Sequence, residues 1–145
     1  MNIRQGWKVL LGATCGLFLL GCGVRDPFTY VPVSGTLTYE DGTLIPADNV
    51  ALMFYPQSPP KNMKTHPRPG IAWVDQATGR FEKATSHKPG DGLVRGKHKV
   101  TVVSIHLTPL PAELVPSEYA NPATTPLEVD TSQSPFHLKV RKPSK

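Results

Sequence analysis

Hydrophobic and polar residues alternate strictly along two parts of the chain. From Val31 to Tyr39 the odd positions hold Val31, Val33, Gly35, Leu37 and Tyr39, while Pro32, Ser34, Thr36 and Thr38 take the even ones. From Phe136 to Arg141, the residues Phe136, Leu138 and Val140 alternate with His137, Lys139 and Arg141. A period of two predicts strands with one buried face. Val50 to Tyr55 (VALMFY) is instead continuously apolar and is followed by Pro56, which predicts a strand covered on both faces. Lys97 to Ile105 (KHKVTVVSI) is the strongest β segment, rich in valine, and Leu127 to Thr131 adds a short one. Gly70 to Asp75 and Gly79 to Thr85 are separated by Gln76, Ala77 and Thr78, a spacing that predicts a hairpin closed at Gly79. No segment after residue 30 carries a 3.6-residue apolar period long enough for an amphipathic helix. Seven short strands in one chain of 145 residues predict a single all-β domain, an antiparallel β-sandwich.

The first residues follow a different pattern. Met1 to Lys8 holds Arg4 and Lys8 and no acid, and Val9 to Leu20 (VLLGATCGLFLL) is uncharged and mostly apolar. A spanning helix needs about 20 apolar residues, so this positive stretch and short apolar run predict a cleaved export signal. Leu19, Leu20, Gly21 and Cys22 resemble the bacterial lipobox, in which a cysteine receives diacylglycerol before cleavage on its amino side. That resemblance implies a lipoprotein signal peptide over 1–21 and a lipidated Cys22 opening a tether over 22–30. It also accounts for both cysteines of the chain, since Cys15 leaves with the signal. The implied location is the bacterial cell envelope, periplasmic or surface-facing, with the membrane as partner through the acyl chains on Cys22.

Composition sharpens this picture. The chain holds 16 Pro and 12 Gly, which fits many turns and excludes long helices. The formal charge of +5 would ordinarily prompt a nucleic-acid hypothesis. Arg4 and Lys8 lie in the signal, however, leaving 14 basic against 11 acidic residues beyond it. Export separates the chain from cytoplasmic nucleic acid, and no aromatic residue interleaves the basic segments, so a nucleic-acid partner is not expected.

The segments VSGTLTYEDGTLIPADNVALMFYP, DQATGRF, KPGDGLVRGKHKVTVV, YANPATTPLEVD and FHLKV together resemble the carboxypeptidase regulatory-like, or transthyretin-like, β-sandwich domain of small bacterial lipoproteins. The resemblance covers 31–141 and implies a seven-stranded Ig-like or transthyretin-like sandwich with a basic tail over 142–145. It implies no activity, because one fold hosts many functions. Hydroxyisourate hydrolases of similar fold end in Tyr-Arg-Gly-Ser, whereas this chain ends Arg141, Lys142, Pro143, Ser144, Lys145. Physical roles can be assigned to several motif residues directly. Gly35 suits a close backbone approach, and Gly42 and Gly79 suit turns that need positive φ.

Catalytic and metal patterns are sparse. No Gly-x-Ser-x-Gly elbow occurs, and GDGLVRGK has the wrong glycine spacing for a phosphate loop. His66, His87, His98, His106 and His137 show no metal-ligand spacing, and Asp75 to Gly79 lacks the acids of a calcium loop. No metal or cofactor is expected, and the chain reads as a non-enzymatic binding or structural module. The alternative is a small hydrolase, which requires His66, His87 or His98 to converge with an acid such as Asp91.

Two long connections stand out, since strands are usually joined by about two to six residues. Pro56 to Pro69 (PQSPPKNMKTHPRP) carries Lys61, Lys64 and Arg68 and no acid, which makes it a stiff, exposed, basic flap. It reads either as a solvated insertion or as a contact surface for an anionic envelope polysaccharide, lipid headgroups or another envelope protein. Leu107 to Pro126 holds five prolines around Tyr119, which is expected to pack as a structural anchor. Lys139, Arg141, Lys142 and Lys145 read as a positive tail without a nearby acid.

Overall fold

The structure is a computed structural model that describes residues 25–144. Residues 1–24, which include the segment read as a signal and Cys22, and Lys145 lie outside the described residues. Nine strands are present among them: β1 (Tyr30–Val31), β2 (Gly35–Tyr39), β3 (Val50–Pro56), β4 (Gly70–Trp73), β5 (Arg80–Phe81), β6 (Leu93–Val94), β7 (Lys97–Ser104), β8 (Glu128–Asp130) and β9 (Phe136–Val140). Two 3-10 turns, Ser117–Ala120 and Thr131–Gln133, accompany them. No helix among the described residues is long and apolar enough to cross a membrane.

The strands form a four-stranded sheet in the order β4-β3-β7-β8, a three-stranded sheet β5-β2-β9, and a separate pair β1-β6. The two larger sheets pack in a sandwich-like arrangement. Alternation decides which side chains meet. Leu37 and Tyr39 of β2 and Phe136, Leu138 and Val140 of β9 are buried, while His137 and Lys139 are exposed. Facing them, Leu52 and Phe54 of β3 and Val100 and Val102 of β7 are fully buried. Phe54 joins the layers, its ring 6.0 Å from that of Phe81 and 6.2 Å from that of Phe136 between centroids. Such tilted aromatic contacts add to the area they bury.

Ala51 and Val103 explain why VALMFY is apolar throughout. They lie on the outer face of the four-stranded sheet, yet neighbouring strands and side chains leave them at most 4% exposed. Gly35 is required by contact: a Cβ there would stand 2.4 Å from the Phe136 carbonyl oxygen of the adjacent strand. Gly79, at φ +67°, makes the turn after Asp75.

Three expectations need correction. The sandwich is not wholly antiparallel, because β2 and β9 pair in parallel from Gly35↔Phe136 to Tyr39↔Val140. β8 runs back along β7, so the chain leaves it at the end where β2 begins, crosses between the layers through 131–135, and enters β9 alongside β2. The segment from Val31 to Tyr39 is two strands, since Pro32 offers no N–H and β1 turns aside to pair with β6. The hairpin closed at Gly79 splays. Its tip is paired by Asp75 N–H to the Arg80 carbonyl, and Ile71 bridges Thr85, but β4 joins β3 while β5 joins β2.

This topology gives the sandwich two ends. Residues 25–34, the loop 56–69 and the turn 86–92 gather where β2 and β7 begin. The opposite end holds 40–49, the turn 74–79 and the segment after β7.

Candidate functional site

The loop between β3 and β4 is exposed but ordered by its own hydrogen bonds. The Gln57 N–H donates to the Lys97 carbonyl at 2.8 Å, which ties the start of the loop to β7. Beyond Pro59 and Pro60, the Lys61 N–H donates to the Thr65 carbonyl at 2.9 Å, and the Lys64 N–H to the Asn62 side chain at 2.9 Å. An asparagine side chain bonding the backbone two residues on is a turn former. The turn holds Lys61 and Lys64 on either side of Met63, which is 96% exposed at the tip.

The segment read as a tether is built into the body from Asp26 onward. Asp26 accepts from the Phe28 N–H at 3.0 Å and from the Tyr30 hydroxyl at 2.6 Å. His87 stacks on the Tyr30 ring, 6.1 Å between centroids at 17°, with its Nδ1 3.6 Å from the Asp26 carboxylate. The Tyr30 hydroxyl bond, helped by the Phe28 N–H and the His87 and Arg68 charges, holds the Asp26 carboxyl below its usual range. Burial, reinforced by Asp26, pushes the Tyr30 phenol well above its usual range. The 25–30 segment also meets β6 through the Arg95 N–H, which donates to the Thr29 carbonyl at 2.8 Å.

Between this segment and the basic loop runs a cleft of about 500 Å³ lined by Arg25, Asp26, Lys64, His66, Arg68 and His87, among others. On the other side of Phe28 a groove of about 340 Å³ is lined by Pro59, Pro60, Lys61 and Arg95. Lys64 and Arg68 thus share one cleft, and Lys61 lines its neighbour. Among the described residues the cleft carries three cationic side chains against one carboxylate, and that carboxylate is already held by Tyr30. Its chemistry suits a phosphate or another oxyanion, for which Arg offers planar paired donors.

The histidines divide. His66 and His87 line the cleft, with the Asp26 carboxylate against the His87 ring while Asp91 accepts from the His87 backbone N–H. Burial alone would raise Asp91, but the N–H groups of Ser86, Lys88 and His87 hold it below its usual range, so its carboxylate organises the 86–91 turn. Among the described residues the only side-chain hydroxyl lining the cleft is that of Thr65; Ser86 spends its own on the Gly92 carbonyl at 2.8 Å. His98 does not line the cleft; it is fully buried on β7 against Phe54. Among the described residues, no three His, Cys, Asp or Glu side chains are grouped to hold a metal ion.

Tyr119 is buried, and its hydroxyl accepts from the Arg141 N–H at 3.1 Å. The terminal basic residues differ from expectation: Arg141 pairs with Glu118 at 2.5 Å and Lys142 with Asp41. These acids are far away in sequence, so the pairing is created by the fold alone.

The sequence drew attention to the loop cations through their charge and the absence of acids. It missed Arg25 to Phe28 as the other wall of the cleft, because a short polar stretch has no periodicity to mark it as folded, and Arg95 of the neighbouring groove, which comes beside that stretch only on folding. In comparisons with known proteins, no family model, no curated protein and no solved structure matches the chain.

Proposed function

We propose that the chain is a membrane-anchored envelope lipoprotein, lipidated on Cys22, whose transthyretin-like or Ig-like sandwich serves as a non-catalytic binding or structural module. In this reading the basic cleft lies against the anchoring membrane and meets anionic headgroup phosphates. One observation carries it: the cleft is walled by Arg25, only three residues beyond Cys22. Three extended residues reach about 10 Å, so an acyl group on Cys22 brings the headgroup layer to Arg25, Lys64 and Arg68. Met63, an apolar tip between two lysines, supports the same orientation, since apolar side chains flanked by cations suit the headgroup boundary.

Replacing Cys22 tests the anchor. Cys22→Ser is expected to move the protein from the membrane to the soluble fraction, and unchanged partitioning would refute lipidation. The released form is then sedimented with vesicles. It should associate with phosphatidylglycerol vesicles and not with phosphatidylcholine vesicles, and binding should weaken as salt rises. Lys61→Glu, Lys64→Glu and Arg68→Glu together should abolish that association. Retention unaffected by charge reversal would remove the headgroup reading while leaving the anchor intact.

A second reading, hydrolysis, draws on His66 and His87 sharing the cleft with Asp26. It is the weaker one, because Asp26 is committed to Tyr30 and the serine nearest His87 in sequence is tied to a backbone carbonyl.

A further inference from the structure

The opposite end of the sandwich carries an open cleft of about 660 Å³ lined by Asn49, Trp73, Asp75, Gln76 and Ile105, among others. Trp73 is 55% exposed there, although it is the largest apolar residue of the described chain and closes a strand whose alternate residues, Gly70 and Ala72, are buried. Alternation places it on the outer face of the four-stranded sheet, in one cross-strand row with Ala51 and Val103. We propose that this cleft is a binding site for a neutral saccharide, with Trp73 as the stacking platform and the Asn49 and Gln76 amides as its hydroxyl-recognising groups.

The chemistry of the lining selects this ligand. A pyranose ring has an apolar face of polarised C–H bonds, which suits the negative face of an indole, and a rim of hydroxyls that suits amides and carboxylates. The side-chain amides of Asn49 and Gln76 make no hydrogen bond among the described residues, so both are free to engage a ligand. The backbone beneath them is fixed. The Ile105 N–H donates to the Asn49 carbonyl at 2.8 Å, and the Val74 N–H to the Val50 carbonyl at 3.1 Å. The turn bearing Gln76 is closed by the Asp75 N–H to the Arg80 carbonyl and the Gly79 N–H to the Asp75 carbonyl, each at 2.7 Å. Asn49 stands at φ +59°, a conformation that asparagine tolerates and that lets the chain pivot into β3 at the rim of the cleft. The volume falls within the range of about 300–1,000 Å³ typical of small-ligand sites.

Other ligand classes fit less well. Among the described residues the lining contains no cation and does contain Asp75, so anionic polymers, nucleic acids and phosphorylated ligands are disfavoured. A peptide strand adding to β4 would find the edge interrupted, since Ile71 already bonds Thr85 in both directions. A quaternary ammonium ligand prefers a cage of several aromatic rings, and Trp73 is the one aromatic residue lining the cleft among the described residues.

The site needs no lipid anchor, so its test is independent of Cys22. The chain has two tryptophans, Trp7 and Trp73, and Trp7→Phe leaves Trp73 as the only indole emitter. The full chain carrying that change, in detergent micelles, is titrated with cellotetraose, chitotetraose and, as controls, choline and inorganic phosphate. A saturable change in Trp73 emission is expected with at least one oligosaccharide and with neither control. Co-sedimentation of Trp7→Phe with the matching insoluble polysaccharide gives a readout that does not depend on emission. There Trp73→Ala should weaken retention about tenfold or more, and Gln76→Ala, in an exposed turn, several-fold without loss of thermal stability. Absence of a saturable response to both oligosaccharides would overturn the proposal. So would a response to choline or phosphate instead, or retention unchanged in Trp73→Ala and Gln76→Ala alike.

Discussion

His98 is the residue whose surroundings most constrain its chemistry. It sits on the inner face of β7 with no exposed surface, edge-on to Phe54 at 6.4 Å. Its Nδ1 lies 3.1 Å from the Gly96 carbonyl, which can only accept, so the proton is on Nδ1. The other nitrogen, Nε2, has no partner among the described residues. Burial drives its pKa below the ordinary value of 6.5, against the opposing pull of the Gly96 carbonyl and the Asp130 charge. The unfolded chain therefore takes up a proton near 6.5 that the folded chain resists. Stability from this source is complete above that value and is lost as pH falls through 6.5 toward the lower folded pKa. Urea midpoints measured from about pH 7 down to about 5 should fall, staying above the range where carboxylates titrate. His98→Gln keeps a donor for Gly96 and does not titrate, so its midpoints should stay flatter over that interval. Parallel slopes for the two proteins would exclude His98 as the source. The sequence offered His98 only as one of three histidines that a hydrolase could use, with nothing in the local pattern to mark it as buried. Its burial depends on the pairing of β7 with both β3 and β8, which local pattern does not encode.

At the scale of elements, legibility followed the length of the local signal. β2 and β9 were readable because two alternating faces leave a period-two trace over five residues each. β1 and β6 were not, since two-residue strands leave no period to detect. The splayed hairpin has the spacing of an ordinary one; what separates its arms is competition from β3 and β2, which lie elsewhere in the sequence. The long segment after β7 shows the same dependence. It looks like a loose proline-rich connection, yet two tyrosines fasten it. The Tyr39 hydroxyl donates to the Leu114 carbonyl at 2.7 Å, and Tyr119 is buried with its hydroxyl bonded to the Arg141 N–H. Deleting the Tyr119 hydroxyl in Tyr119→Phe should cost about 1 kcal/mol. Deleting the ring in Tyr119→Ala should cost about 3–5 kcal/mol, as for other buried aromatics. Chemical denaturation separates these values. An alanine variant as stable as the phenylalanine variant would show that the ring contributes no packing.

For the whole molecule the informative quantity is where charge and apolar surface fall along the sandwich axis. Arg141 and Lys142 are matched by Glu118 and Asp41 at the far end, whereas Arg25, Lys61, Lys64, Arg68 and Arg95 converge around the 25–30 segment. Net charge alone did not reveal this polarity, because the loop, the N-terminal segment and β6 become neighbours only on folding. From Ala51, beside Trp73, to Pro56, where the basic loop begins, β3 spans about 16 Å. That exceeds the Debye length of about 8 Å at physiological salt, so the two ends respond to separate electrostatic surroundings. If the basic end rests on a membrane, the Trp73 cleft is held away from it and toward the surrounding envelope. An environment-sensitive dye placed at Met63→Cys or at Gln76→Cys, in protein carrying the proposed acyl anchor, reads this orientation. On phosphatidylglycerol-containing vesicles the Met63 label should shift to the blue and the Gln76 label should not. Raising salt to about 1 M, where screening falls to about 3 Å, should reverse much of the Met63 shift. Equal shifts at the two positions would mean that the molecule has no fixed orientation on its anchor. A Met63 shift of the same size on purely zwitterionic vesicles would remove the loop cations from the explanation and leave the apolar tip alone as the contact.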